Sequence, residues 1–417
     1  MKPIILLFIA ALGVAILPSC KEKQDAPEIQ LLSTGENEAL GAYFTKDHRG
    51  NAVLCWSEKS AADSLYCLKY AIYNAEKESF ELPVTVAGSI GLSTAAESMG
   101  KIAFKGDGTV MAIFGKRFTK EKNPYAGATY YTFSTDEGKS WTKAAFLHSD
   151  TSHTVGRSFF DLTTLKDGEM AAVWLDGRYG KSIKGSALFF ARTAKGKGFA
   201  ADVCIDKGTC ECCRTNLVSD TQGNLHLAYR KILYSRDLMG KQVRDMVYST
   251  SKDNGLSFSK AIPISNDNWQ IEGCPHSGPS LALTDKSVQS VWFTAGGVPG
   301  IYFTEAQLDS TFKKRTLLSA EGRHPQMKTL PEGKMAVVYE ENMGAVPEHS
   351  MHHQNAGMAK IVLSLIDKGQ ARERISLTDG QYADHHAVLI PLKKGLLVAW
   401  IREMHGQSKI YFSKITS

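Results

Sequence analysis

The feature that most constrains the fold of this chain is a hairpin pattern that recurs seven times. Each copy is an apolar segment, a short turn, and a second apolar segment ending in an aromatic residue. The second segments run from Ala52 to Trp56, Val110 to Phe114, Met170 to Trp174, Leu225 to Tyr229, Val288 to Trp292, Met335 to Tyr339 and Leu396 to Trp400. Six of the turns carry a glycine (Gly50, Gly108, Gly168, Gly223, Gly333 and Gly395), and the fifth uses Asp285 and Lys286. Gly and Asp suit the backbone angles of tight hairpins. A pattern of this period, repeated along the whole chain, means that one structural unit is stacked on copies of itself.

Each hairpin is followed by further β-rich stretches, among them Leu65 to Tyr73, Thr129 to Phe133, Ala187 to Ala191 and Ile301 to Thr304, and no helical periodicity competes with them. Four short antiparallel strands per unit, repeated radially, predict an all-β fold, a β-propeller of four-stranded blades. The repeat count gives seven blades, or six if one hairpin is an insertion. The last unit, His385 to Ile415, holds only three strands, and Ile29 to Leu32 is expected to supply the fourth. The 417 residues are 43% hydrophobic and 22% charged, enough for one large domain over 29–417. The net charge of +6 is scattered, with no basic block, which argues against nucleic-acid binding.

The N-terminus carries a separate signal. Lys2 precedes an apolar stretch from Ile4 to Ile16, and Leu17-Pro18-Ser19-Cys20 ends it. The stretch is short for a membrane span and reads as a signal peptide over 1–19. The last four residues resemble a bacterial lipobox. The resemblance implies cleavage before Cys20, lipidation of Cys20, a tether over 20–28, and a place in the cell envelope. Seven cysteines then remain: Cys55, Cys67, Cys204, Cys210, Cys212, Cys213 and Cys274. In an oxidising compartment they favour disulfides, with Cys55–Cys67 one possible pair, and their odd number leaves at least one thiol over.

Two turns share the pattern S-x-D-x-G-x-x-aromatic. One holds Ser134, Asp136, Gly138 and Trp141; the other Ser251, Asp253, Gly255 and Phe258. They resemble the Asp-box (BNR repeat) of sialidases and related propellers, where the Asp and Gly staple a hairpin. The repeat register also gathers polar residues at one end of the axis, among them Glu97, Arg178, Arg214, His276, Arg323, His324, Glu340, His385, His386, Arg402 and Glu403. The sialidase resemblance implies a Tyr–Glu nucleophile pair, for which Tyr382 and Glu211 stand, an acid/base Asp at Asp176, and arginines that grip a carboxylate. Arg178, Arg214, Arg230, Arg323 and Arg402 are the candidates for that grip, since guanidinium forks suit carboxylates and phosphates. The first unit, Leu40 to Thr45, lacks the family's Arg-Ile-Pro motif. The leading expectation is therefore binding of an anionic ligand, possibly a glycan, with exo-sialidase-type hydrolysis second. Over roughly residues 155 to 300, the Cys210-Glu-Cys-Cys-Arg-Thr215 motif and its surroundings resemble exported propellers labelled sialidase-like by fold.

A third expectation is metal handling. Cys210, Cys212, Cys213 and Cys274 precede the first strands of consecutive units, and His349, Met351, His352 and His353 follow Tyr339 in a loop. Thiolate, imidazole and thioether donors suit copper or zinc. Interblade disulfides compete with the metal for the same cysteines.

Overall fold

A computed structural model describes residues 27–33, 37–234, 239–344 and 357–416. The signal segment, Cys20, most of the tether, and the candidate ligands Met351, His352 and His353 lie outside the described residues. Apart from three short 3-10 turns, the regular structure described is strand, and no helix described is long and apolar enough to cross a membrane.

The strands described fall into consecutive antiparallel units of four, except the first, where Ser79–Phe80 and Val84–Thr85 both pair with the third strand to make five. Their first strands are Ala39–Lys46, Lys101–Phe104, Arg157–Thr164, Asn216–Ser219, Ser280–Leu283, Gly322–Thr329 and Ala383–Pro391. Single-residue bridges join the third unit to the fourth (Thr209 with Lys231) and the sixth to the seventh (Ala359 with Ala383). The seventh unit supplies three strands of its own. Its fourth is Gln30–Leu31, antiparallel to Gln407–Ile415, with Leu32 N–H donating to the Ile410 carbonyl at 2.9 Å. The strand expected from Ile29 to Leu32 thus joins the chain's beginning to its end.

The apolar core is divided in the same way. Each cluster is shared by two neighbouring units, as when Val338 and Leu363 of the sixth pack with Leu389 and Trp400 of the seventh. The series closes on itself: Leu54 and Trp56 of the first unit pack with Leu397, Ala399 and Ile401 of the seventh. Sheets stacked face to face around an axis are the β-propeller architecture. Central strands buried on both faces explain the near-continuous apolar runs in the sequence.

The repeating aromatic fixes more than packing. Trp56, Trp174, Trp292 and Trp400 are fully buried, and a buried indole N–H needs an acceptor. Each donates to a carboxylate: Glu58 at 2.9 Å, Asp176 at 3.0 Å, Asp267 at 2.8 Å and Asp384 at 3.1 Å. The first strands line an axial cavity of about 890 Å3 that includes Tyr43, Lys101, Asp161, Asn216 and Lys328. Across it, Lys101 Nζ meets Asp161 at 2.6 Å, Asp161 accepts from Asn216 Nδ2 at 3.0 Å, and Asn216 Oδ1 accepts Leu281 N–H at 2.7 Å. One polar chain thus ties the second through fifth units together.

In the two Ser-x-Asp-x-Gly turns, Asp136 and Asp253 each accept a backbone N–H, from Ser140 and Ser257, at 2.9 Å. Gly138 and Gly255 sit at φ +87° and +89°, and Trp141 and Phe258 pack against Tyr70 and Phe190 of the preceding unit. The proposed Cys55–Cys67 pair is not formed. Cys55 lies opposite Tyr70 and Cys67 opposite Glu58, so register separates the two sulfurs. All seven cysteines described are free thiols.

Candidate functional site

Four first strands carry a β-bulge at the same place, near the end of the axis where each strand begins. The pairing slips between Leu40 and Tyr43, Ser158 and Asp161, Arg323 and Gln326, and His385 and Val388. The residue at the slip takes positive φ in each: Gly41 at +70°, Phe159 at +52°, His324 at +46° and His386 at +51°. His276, in the loop before the fifth unit's first strand, stands at +46°. For a non-glycine residue this conformation costs on the order of 1 kcal/mol, and bulges re-aim side chains. Here two bulges bring His324 and His386 face to face, ring centroids 4.0 Å apart.

A network of carboxylates surrounds the pair. Glu340 meets His324 Nδ1 at 2.7 Å and accepts the His386 backbone N–H at 2.6 Å, bridging the sixth and seventh units. His386 Nδ1 lies 2.7 Å from His385 Nδ1, and His385 Nε2 lies 3.2 Å from Glu403. Glu97, from the second unit, approaches His386 Nε2 at 3.5 Å and accepts from Arg214 Nε at 2.8 Å. Burial opposes charge on both histidines, but with different outcomes. At His324, Glu340 and then Glu97 overcome burial and raise its pKa above the ordinary value. At His386, burial, reinforced by His324, His385, Arg214 and His276, holds the pKa well below it. Glu340 is lowered despite burial because His324 stands against it. The two stacked rings are therefore shifted in opposite directions, His324 towards holding its proton and His386 towards losing it.

Beside this cluster, Cys210, Cys212 and Cys213 are buried in the loop entering the fourth unit. Cys210 Sγ lies 3.6 Å from Cys212 Sγ and 3.6 Å from Cys213 Sγ. Cys274 and His276, from the loop entering the fifth unit, bring a sulfur and a nitrogen within 4.8 Å of each other and of Cys212 Sγ. Hydrogen bonds from the Cys212 and Cys213 thiols, aided against burial by Arg230 and Arg244, push the Cys210 pKa far below that of a free thiol. Burial pushes Cys213 up to about 12.

The arginines expected to grip an anion divide sharply. Arg178 pairs with Asp176 at 2.7 Å and Asp202 at 2.6 Å, over the Phe189 ring. Arg214 is held by Glu97, and Arg402 by both oxygens of Asp384, at 2.6 and 2.8 Å. Arg230 is 1% exposed and, among the described residues, donates to the carbonyls of Arg244, Ser277 and Phe293. Arg323 differs. It is half-buried over the Phe293 ring at 4.1 Å, donates to the Gly322 carbonyl, and has no ion pair among the described residues. Burial lowers its pKa, against the pull of Glu340 and Glu321.

Among the described residues, no hydrogen bond joins the catalytic candidates Asp176, Glu211 and Tyr382 to one another. Asp176 is fully buried, held by Arg157, Arg178 and the Trp174 indole, so no face is left for a substrate. Glu211 is exposed and pairs with Arg244 at 3.1 Å. The Tyr382 ring lies against Arg402 at 4.4 Å, and no hydrogen bond described joins it to Glu211. The histidine–carboxylate network draws on three units. In the sequence its members stand out only as residues at matching strand starts; the bulges that join them depend on pairing.

No protein-family model matches the chain, and no curated protein matches it. Among solved structures, the chain is similar to the polysaccharide lyase Uly1, with TM-score 0.54 and 11% identity over 90% of this chain and 89% of that one. It is also similar to a PL25 ulvan lyase bound to -[GlcA(1-4)Rha3S]-, with TM-score 0.52 and 11% identity over 93% and 94% of the two chains. Trypanosoma rangeli sialidase aligns at TM-score 0.45 and 11% identity over 83% of this chain and 57% of the sialidase. At such identities the likeness to the two lyases is one of fold.

Proposed function

We propose that this chain is a seven-bladed, sialidase-like propeller, anchored to the cell envelope through Cys20, that binds an anionic glycan at the axial mouth. The observation that carries the reading is Arg323. Of the five arginines expected to read an anion, it alone is partly accessible and without a protein carboxylate or a full set of carbonyl acceptors. It adjoins His324, whose pKa Glu340 and Glu97 raise against burial, while the flat Phe293 ring beneath it keeps the guanidinium in place. A stacked, poorly hydrated guanidinium is well suited to a carboxylate or sulfate. The polysaccharide lyases that share the fold, one bound to a glucuronate-containing sulfated glycan, support a charged polysaccharide as the ligand class.

The test is binding of the soluble domain to sialylated, uronate-containing and sulfated oligosaccharides against neutral ones, by calorimetry. Charge-assisted hydrogen bonds contribute about 1.5–3 kcal/mol, so Arg323→Ala should weaken binding of the charged ligand about 10- to 150-fold. Arg323→Lys should recover only part of it. Equal binding of charged and neutral glycans, or indifference to both substitutions, refutes the assignment.

A further inference from the structure

The structure assigns Cys210, Cys212, Cys213 and Cys274 to one closed tetrahedral Zn2+ site that clamps the loops entering the fourth and fifth units. Three independent features lead there.

The first is spacing. A zinc–sulfur bond of about 2.3 Å gives a tetrahedron whose sulfur–sulfur edge is about 3.8 Å. The two measured separations, Cys210 to Cys212 and Cys210 to Cys213, are both 3.6 Å. A disulfide requires about 2.05 Å, so these sulfurs are gathered but not bonded. Cys212 Sγ also stands within 4.8 Å of Cys274 Sγ; the four sulfurs do not all lie within that distance of one another, so closing the tetrahedron draws the Cys274 loop inward.

The second is counter-charge. Arg230 is 1% exposed and has no ion pair among the described residues; its hydrogen bonds go to three carbonyls. Arg244, also buried, points NH1 at Cys210 Sγ from 3.2 Å, and its one carboxylate partner, Glu211, is half in solvent. Two guanidinium ions buried this way need negative charge nearby. Four thiolates around a dication carry a net charge of about −2, which the two arginines would balance. A pair of neutral disulfides would leave Arg230 uncompensated and Arg244 with only the half-exposed Glu211.

The third is what the site would hold. The chain from Ile264 to Pro279 crosses between units without regular secondary structure, yet Trp269 within it is buried. A cross-link from Cys274 to the preceding loop fixes such a segment where the first strands, Asn216–Ser219 and Ser280–Leu283, are short. Binding displaces the thiol protons to solvent and changes no oxidation state. With four protein ligands and no open position, the ion's role is structural.

The experiment uses the mature chain, purified without an affinity tag, and reads metal content by elemental analysis and native mass spectrometry. One zinc per chain is expected, with Cys210, Cys212, Cys213 and Cys274 protected from alkylation until the protein is denatured with chelator. Cobalt substitution should give the visible spectrum of a tetrahedral thiolate complex. Arg244→Leu, which leaves all four ligands in place, should lower zinc affinity about 10- to 100-fold, as losing a partner of a metal ligand does. Copper in place of zinc, a mass short by the hydrogens of disulfides among these four residues, or four alkylatable thiols after zinc loading would each overturn the assignment. None of these readouts depends on glycan binding.

Discussion

Replacing Asp176 by Asn separates a structural carboxylate from a catalytic one. Its carboxylate receives the Trp174 indole at 3.0 Å, Arg157 Nε at 3.2 Å, Arg178 NH2 at 2.7 Å and the Arg178 backbone N–H at 2.9 Å. The amide keeps one acceptor oxygen, sufficient for the indole, but removes the charge between two guanidinium groups. Breaking a buried pair typically costs 3–5 kcal/mol. Arg157 keeps Asp150 at 2.7 Å and Arg178 keeps Asp202 at 2.6 Å, so the expected loss is at the lower end, about 3 kcal/mol. Glu211→Gln removes only a partly exposed pair and should cost less than about 1 kcal/mol. Equilibrium urea unfolding of the two variants, followed by fluorescence, measures the contrast. Glycan affinity of folded Asp176→Asn should match that of the parent. A variant as stable as the parent but unable to bind or turn over a glycan would refute the reasoning and restore Asp176 to the site.

The structure carries further expectations. His148 is buried beside Arg157, and burial followed by that charge lowers its pKa to about 4. The unfolded chain takes up the proton near 6.5 while the folded one refuses it, so stability falls between pH 6.5 and 4, by on the order of 1 kcal/mol per pH unit. His148→Phe should flatten the urea midpoint against pH over that window; an unchanged slope would exclude His148 as its source. Gly255→Ala forces a side chain into φ +89° with its Cβ 2.2 Å from Phe190, and should destabilise by about 1–3 kcal/mol in the same assay. Deleting residues 27–33 removes the strand paired with Gln407–Ile415 and should lower the thermal midpoint, whereas Cys20→Ser should leave that midpoint unchanged and move the protein out of the membrane fraction. Retention of Cys20→Ser on membranes would exclude the lipid anchor.

How far the sequence discloses such a molecule depends on the range of the interactions. The hairpins are legible because their pattern is local: alternation, a glycine turn, and an aromatic residue whose acceptor can stand two residues on, as Glu58 does for Trp56 and Asp176 for Trp174. The same reading marks Asp176 and the arginines as a polar mouth because strand ends are usually exposed. Here they are not. Asp202 reaches Arg178 from the end of the same unit, and Glu97 reaches Arg214 from two units earlier, so charges that look available are already neutralised. Partners this far apart leave no trace in spacing.

The histidine pair belongs to the same class, with one difference. His324 and His386 occupy equivalent positions in consecutive units, but Gly41 and Phe159 occupy the same position in the first and third, and nothing in residue type marks any of them as bulge residues. The bulge is where the repeat stops being uniform: a glycine in the first unit meets the close approach of Met99, a phenylalanine in the third packs on the cysteine loop, and two histidines meet on the axis. One backbone device, repeated, thus presents a different side chain in each unit. Since the strain of positive φ recurs whether the residue is apolar or ionisable, it belongs to the scaffold, and what differs from unit to unit is the side chain each bulge carries. Exchanging His386 for Phe should therefore preserve the fold while removing the neutral ring beside His324. A folded variant whose ligand affinity acquires a different pH dependence would place the pair in the binding site, and an unchanged profile would confine it to the frame.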